Sequence, residues 1–504
     1  MTSLAVSGLA PMLEQAANGT NAANTPKKGG HLRLGIDNAS STDRLDPASY
    51  VEMYGFVVGA QLFNTLIELN ESGGLRPSLA LSWEARKGAK EWIIKLRKGV
   101  EFHNGKPLTV QDVIYSLNHH RGANSASAAK VYLDSVLTLK ATAIDELTIM
   151  LKQGNADLPY LLTDVHFGIG PDGSNFDKGI GTGAYVLENF QPGVRTLTRR
   201  NANYWDAERA HVDSVETIAY NDSTARIAAL LSGRIHVVNR IEPRLFKRVS
   251  ASNKINVHRS KDSEIFTFPG LSDRAPFNNQ DVRLALKYAL NRPQILKSVL
   301  ANIGSIGNDQ PIVPSNRYFA ADLAATPYDP EKAAFHWKKS GYSGKLLLSV
   351  SDAGFSGAVD AAQLFQASAQ KAGIPLELER VPADGYWENI WLKKSFVASN
   401  ISTRSTADAT LSLFFAAGAA WNETAWNNEG FESLLRAARA ELNEAKRTQM
   451  YHDIQFLIAG QGSEIVPVRS DGLDASRANV GGFTVVPGLA MSGLKVAEKV
   501  WLES

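Results

Sequence analysis

From residue 224 onward the chain switches repeatedly between two hydrophobic periods, which limits the architectures open to it. "STARIAALLSG" carries a Ser or Thr cap and a glycine stop, as a helix does, and "RIHVV" follows as a strand. "NNQDVRLALKYALN", "DPEKAAFHWKKSG" and "AVDAAQLFQASAQKAG" have helical spacing, and "GFESLLRAARAELNEAKRTQMYHDIQFLIAG" is long enough for two helices. "KLLLSV", "IPLELERV" and "SEIVPVR" have the β-branched, short-run character of strands. Strands alternating with helices predict an α/β fold with open sheets, whose ligands lie in crevices at the carboxyl ends of the strands.

The first half is more turn-rich. "HLRLGI" (31–36) predicts a strand and "DNASSTDRLDPAS" a polar loop. "EWIIKLR" alternates Trp92, Ile94 and Leu96 with polar residues, as a half-buried strand does. "HNGK" predicts a hairpin-type Asn-Gly turn with both central residues at positive φ. Thr109 and Asp112 then form a capping box for a helix through "VQDVIYSLNHH". Gly99 and Gly105 are six apart and Lys106 precedes Pro107, so this is not a phosphate loop of Walker type. His119 and His120 are adjacent and leave a helix on different faces, unlike a helical metal pair, and His103 sits before a turn. In "GIGTGAY" the glycines are followed by two strand-like runs around Pro192-Gly193 rather than a helix, so they serve close backbone approach or a turn, not a pyrophosphate.

A chain of 504 residues exceeds a single core and predicts roughly three units. Lys plus Arg number 53 against 51 for Asp plus Glu, leaving a net charge of +2 and no field to recruit nucleic acid. There is no cysteine, which excludes disulfides, thiolate catalysis and sulfur-ligated metals. Residues 1–28 pair an apolar run with small residues and a polar spacer. They resemble the back half of a secretory signal, or else a flexible tail, and the expectation is export to the periplasm. No apolar run reaches the length of about 18 residues needed to span a bilayer.

No nucleophile elbow, zincin pair or calcium loop occurs, so no motif supports catalysis, a cofactor or a metal, although an enzyme is not thereby excluded. Aromatic residues are more informative. Trp387 and Trp391, beside Tyr386 in "DGYWENIWLKK", are spaced i, i+4 and predict a core-facing helix stripe. Trp421 and Trp426 bracket "NETA" in a loop-like stretch where an exposed indole suggests ligand contact.

Four ordered segments carry a family likeness: "LRPSLALSWEARKGAKEWIIKLRKGVEFHNGKPLTVQDVIYSL" (75–117), "GIGTGAYVLENFQPGVRTLTRRNANYWDAERAHVDSVETIAYNDSTARIAALLSGRI" (179–235), "APFNNQDVRLALKYALNR" (275–292) and "YDPEKAAFHWKKSGY" (328–342). Together they resemble the family 5 extracellular solute-binding proteins of bacterial ABC importers, the oligopeptide, dipeptide, nickel and opine group. The resemblance implies a periplasmic-binding-protein type II-like fold, with two lobes joined by a two-segment hinge and a small extra domain. Lobe one would comprise 29–62, 181–266 and 473–504, the extra domain 63–180, and lobe two 267–472. It also implies closure over a small guest, docking on an inner-membrane permease and a monomeric state.

In peptide-binding relatives a Trp-Gly turn in lobe two precedes an acid that pairs with the peptide ammonium. This chain reads "SNISTRSTADATLSLFFAAGAAWNETAWNN": the Trp-Gly is missing and Arg404 stands about where the acid would be, with Asp408 four residues on. An arginine in a closed cleft calls for an anionic partner, either a ligand carboxylate or Asp408 itself. The candidate ligand-binding residues are therefore Arg404, Asp408, Trp421, Asn422 and Tyr386 from lobe two, with Asn38 and Tyr50 from lobe one. The function implied is capture of a peptide-like or amino-acid-conjugate (opine-type) ligand. Di- or oligopeptide binding is one alternative, and a glycoconjugate hydrolase on the same scaffold, or a sensor docking a receptor, are others.

Overall fold

The computed structural model describes residues 25–503 apart from 123, 124, 126, 384, 405 and 420, so most of the expected export segment lies outside the described residues. One nine-stranded sheet organises the molecule. Its strands are β1 (His31–Ile36), β2 (Tyr185–Gln191), β3 (Arg195–Arg200), β4 (Ser214–Ala219), β5 (Val237–Val238), β6 (Ile255–Thr267), β7 (Gly304–Ile306), β8 (Ser399–Ser402) and β9 (Val468–Arg477). Their spatial order is β8-β6-β9-β5-β1-β4-β3-β2, with β7 also on β9. β1 runs parallel to β4 and β5, and the other pairings are antiparallel.

The apolar cores divide along the chain. Leu32, Leu34 and Ile36 of β1 pack with Tyr54 and Val57 of helix Met53–Leu62 and with Val496 and Val500, which returns the C-terminus to the first strand. Residues between Leu66 and Ile169 form a separate core over a four-stranded antiparallel sheet, Ala80–Arg86, Glu91–Leu96, Glu146–Leu151 and Val136–Ala143. Phe266, Leu348 and Phe365 centre a third core, and Ile265, Ile401, Leu411 and Ile454 a fourth. The cores thus divide into two large bodies and a smaller antiparallel domain, the division that the family resemblance implies.

β6 and β9 belong to both lobes. Ile255 of β6 and Leu473 and Ala475 of β9 are buried with Ile227 on one side, whereas Phe266 and Val468 enter the Phe365 core on the other. Between these halves the β6–β9 register shifts from Ser260 to Glu264, and Asp262 stands at φ +51°. A bulge of this kind bends and twists its strand. Its backbone is held by hydrogen bonds: Asp262 N–H donates to Asp471 Oδ1 at 2.9 Å, and Thr403 Oγ1 donates to the carbonyls of Asp262 at 3.0 Å and Ser263 at 2.8 Å. Arg259 pairs with the other Asp471 oxygen.

Local chemistry explains most elements. Trp92, Ile94 and Leu96 are buried as their alternation predicts. Thr109 N–H donates to Asp112 Oδ2 at 2.8 Å, while the same carboxylate takes the Lys106 ammonium at 2.6 Å, so Lys106 anchors a helix start. A Cβ on Gly181 or Gly183 would lie 2.1 or 2.2 Å from the carbonyl oxygens of Leu62 and Gln61, which is the close approach read from "GIGTGAY".

Four expectations need correction. In the Asn104-Gly105 turn Gly105 takes positive φ (+80°) but Asn104 does not, so it is not the double-positive hairpin turn. The 223–232 helix is capped by Asp222, whose carboxylate accepts from Ala225 N–H at 2.7 Å, an acid in β conformation that outcompetes Ser223 and Thr224. In "SEIVPVR" regular pairing starts only at Val468, because Pro467 has no N–H for a ladder. The helix at Tyr386–Asn389 is four residues long, too short for an i, i+4 stripe, and Trp387 is 41% exposed.

The extra domain also touches lobe two directly. Asp157 Oδ2 lies 2.6 Å from Arg447 Nη2, both side chains buried, in an ionic contact rather than an aligned hydrogen bond. Arg317 reaches Asp157 Oδ1 at 3.2 Å and covers the Tyr160 ring. Removing one member of a buried pair strands the other charge, which typically costs about 3–5 kcal/mol. Asp157→Ala is therefore expected to lose stability in that range by urea unfolding, whereas a loss below about 1 kcal/mol would show the contact to be incidental.

Inside lobe two, Glu464 is fully buried, neither of its oxygens has a hydrogen-bond partner among the described residues, and burial, with the neighbouring Glu423 charge, pushes its carboxyl well above the usual range. A carboxyl raised on folding stabilises fully below its unfolded value of about 4.5 and loses that contribution as pH rises. The melting-temperature difference between Glu464→Gln and the parent should accordingly move in favour of Gln as pH is raised from about 5 to 8. A pH-independent difference would show that Glu464 stays ionised.

Candidate functional site

The candidate site is built where β8 ends. Arg404 lies two residues beyond Ser402. Its Nε is buried without a hydrogen-bond partner, and it forms no ion pair among the described residues. Its guanidinium carbon stands 5.6 Å from the Trp421 ring centre and 5.9 Å from that of Phe414, within cation–π range. These rings can shield an arginine but cannot neutralise it.

Asp408 does not serve as the counter-ion. It lies in the first turn of helix Ala407–Phe414, is buried, and binds Arg439, whose Nε donates to Oδ1 at 3.0 Å and Oδ2 at 3.1 Å. The pairing of Arg404 with Asp408 weighed from their spacing is thus absent.

Trp421 is 38% exposed and continues an aromatic row: Trp387 and Trp391 have ring centres 5.4 Å apart, and Trp391 and Trp421 6.3 Å. Trp391 is fixed from behind, since its indole N–H donates to Glu423 Oε2 at 2.7 Å, an oxygen that also accepts from Ser399 Oγ at 2.5 Å. Trp426 instead packs into the core against Phe431, with centroids 5.4 Å apart.

Across from Arg404 the extra domain presents Tyr132, Asp164 and His166, all three near enough to feel the Arg404 charge. His166 Nδ1 is 2.6 Å from Asp164 Oδ1 and Nε2 is 2.8 Å from the Tyr50 carbonyl. Both ring nitrogens face acceptors, so the imidazolium form satisfies both. Burial works against that charge, but the hydrogen bond and charge of Asp164 outweigh it and raise His166, while burial of Asp164 is outweighed in turn and its carboxyl is held low. In the imidazolium form the pair is neutral as a unit and does not compensate the Arg404 charge.

On lobe one Asn38 is at φ +56° and its amide donates to Glu52 Oε2 at 2.9 Å. Arg240 Nη1 stands 3.6 Å from Asp37 Oδ2. Glu264, on the lobe-two side of the hinge bulge, is partly exposed and has no hydrogen-bond or ionic partner among the described residues.

The other candidates have committed polar groups. Tyr50 is buried, donates its hydroxyl to the Leu45 carbonyl at 2.8 Å and lies where a Cβ on Gly59 would come within 2.3 Å of its ring. Tyr386 is buried and donates to the Ala398 carbonyl at 2.6 Å. The Asn422 amide spans the carbonyls of Ala416 at 3.3 Å and Trp426 at 2.9 Å, closing its own loop. Sequence reasoning missed Tyr132, Asp164 and His166, which tertiary packing alone brings near Arg404, and Glu264, which strand pairing places beside Ser402. A signal did exist for Trp391, in the exposed, aromatic-dense stretch read as core.

Residues 74–445 match the family model described as bacterial extracellular solute-binding proteins, family 5 middle. The chain is 22% identical to heme-binding protein A of Haemophilus influenzae over 94% of its length and 93% of the relative's. It is 24% identical to the glutathione-binding protein GsiB of Escherichia coli K12, over 90% and 92% of the two chains. Among solved structures it is similar to the periplasmic binding protein AgaA of A. tumefaciens R10 in complex with agropinic acid. That likeness has a TM-score of 0.80 and 21% identity, and covers 94% of this chain and 99% of that one. Among the described residues no helix is long and apolar enough to cross a membrane. The match over residues 74–445, on this two-lobed fold, places this chain in the family 5 bacterial extracellular solute-binding proteins, the solute-capturing components of ABC import systems.

Proposed function

We propose that this solute-binding protein captures a small peptide-like or amino-acid-conjugate ligand of opine type, with a carboxylate held by Arg404 against the Trp421–Phe414 face, and passes it intact to its permease. The carrying observation is the buried, unpartnered Nε of Arg404. A guanidinium offers a planar fork that fits a carboxylate with two parallel hydrogen bonds, and the surrounding rings keep water from competing. Similarity to a protein named for glutathione and to one solved in complex with agropinic acid, both carboxylate-bearing molecules, supports this class.

The division we propose assigns 29–62, 181–266 and 473–504 to lobe one, 63–180 to the extra domain and 267–472 to lobe two, except that β6 already crosses to the lobe-two side past the bulge, where Ile265 and Phe266 enter its cores; residues 1–28 are export segment or tail and the mature chain a periplasmic monomer. A guest touching both lobes binds the closed form better, and only that difference drives closure. Moving a population from 1:99 to 99:1 takes about 5.5 kcal/mol of differential affinity, out of roughly 8 kcal/mol that a micromolar ligand supplies in total. Lobe two alone cannot provide it, so contacts from both sides are required.

Native mass spectrometry of the purified protein should reveal a co-purified carboxylate-bearing molecule of low mass. In calorimetry with that molecule, Arg404→Ala should weaken binding by about 10- to 100-fold, the range for a lost hydrogen bond to a charged group. Unchanged affinity would remove Arg404 from the site, and a cleaved product would replace binding with catalysis.

A further inference from the structure

The carboxylates around the hinge differ in one respect. Asp37 is met by Arg240, Glu52 by the Asn38 amide, Asp262 by the Ser305 hydroxyl at 2.6 Å, Asp471 by Arg259 and the Asp262 N–H, and Asp474 by the Met491 N–H at 2.6 Å. Glu264 has none of these. It sits on β6 among protein atoms that raise its carboxyl by desolvation, and the one cation that acts on it, Arg240, points at Asp37. A carboxylate kept partly desolvated without a donor is unfavourable unless something supplies one.

Strand register sets its distance from Arg404. Glu264 pairs directly with Ser402, and Arg404 follows two residues later. With a rise of about 3.3 Å per residue and strands about 4.8 Å apart, the two backbone positions are roughly 8 Å apart. An unpaired anion on the hinge strand and an unpaired cation at the end of its neighbour are thus fixed to one another by the sheet, with no ion pair joining them among the described residues.

We infer that Glu264 receives a cationic group of the guest, so that the ligand is a zwitterion whose ammonium meets Glu264 and whose carboxylate meets Arg404. This deepens the reading of Arg404 given above and rests on it. An extended chain covers at most about 3.3–3.6 Å per residue, so two or three residues' length joins the two charges. Glu264 immediately follows the bulge, so a guest bound there engages the segment whose geometry must change when the lobes close. The order of charges is the reverse of a site that places an acid at the Arg404 position.

The test uses glutathione and trialanine as probes, each free, with its ammonium acetylated, or with its C-terminal carboxylate amidated, in calorimetry on the full chain and on Glu264→Gln and Arg404→Ala. Glutamine keeps the size of the side chain, and matched melting curves establish that the variant is folded. The inference expects acetylation to weaken binding at least tenfold in the parent and to have little further effect in Glu264→Gln, with amidation behaving likewise for Arg404→Ala. If acetylated and free probes bind the parent equally, or Glu264→Gln binds the free probes as the parent does, Glu264 is not the receptor. In that case sensitivity to amidation and to Arg404→Ala would leave the carboxylate reading standing. Failure of both free probes to bind at millimolar concentration would overturn the peptide-like reading itself, and the inference with it.

Discussion

One sheet runs through both lobes, and its pairing is interrupted on β6 between Ser260 and Glu264. Everything functional depends on that constraint. Above and below the bulge, β6 and β9 are locked into separate apolar cores, so each lobe is stiff, while at the bulge the backbone is held by a few hydrogen bonds from Asp471 and Thr403. Hydrogen bonds of this kind can be exchanged at far less cost than a core can be repacked. Motion between the two lobes is therefore expected at the bulge, where only these hydrogen bonds have to change.

The distribution of satisfied and unsatisfied charge then separates scaffold from site. Buried ions of the framework are paired: Arg292 with Asp309 at 2.7 Å, Arg209 with Glu498 at 2.7 Å, Arg447 with Asp157. Among the described residues Arg404 and Glu264 have no ion pair, and each has rigid surroundings, the aromatic row for the first and the central sheet for the second. Rigid placement of an unsatisfied charge moves the desolvation penalty into the empty protein, so that a complementary guest recovers it on binding. The Glu423 carboxylate contributes at one remove, by fixing the Trp391 indole that adjoins Trp421.

Much of the fold was legible because it rests on local chemistry. Alternation at Trp92, Ile94 and Leu96, the capping pair Thr109 and Asp112, and the Gly233 stop each act within a few residues, and the structure forms them. The failures have equally local reasons: Pro467 cannot donate to a ladder, and Asp222 is a better cap than the serine after it. The candidate site, which rests on the proposal above, was legible only in part. Arg404 and Trp421 declared themselves as a charge and an indole in a polar loop. Tyr50 and Tyr386 looked like ligand contacts but spend their hydroxyls on backbone carbonyls, a choice fixed by packing that sequence does not display. His166 and Asp164 are neighbours in sequence, yet their place opposite Arg404 comes from the docking of a separate domain.

Closure itself is the claim most open to direct measurement, and the absence of cysteine makes it practical. Val194 and Phe335 are exposed, one beside the β2–β3 hairpin and the other on the helix Pro330–Lys339, so a Val194→Cys, Phe335→Cys double variant takes spin labels at those two places. Pulsed electron resonance distances, recorded while the co-purified molecule or glutathione is titrated to calorimetric saturation, should pass from one population to a second, with the fraction converted tracking occupancy. A distance distribution that stays the same at full occupancy would contradict the account.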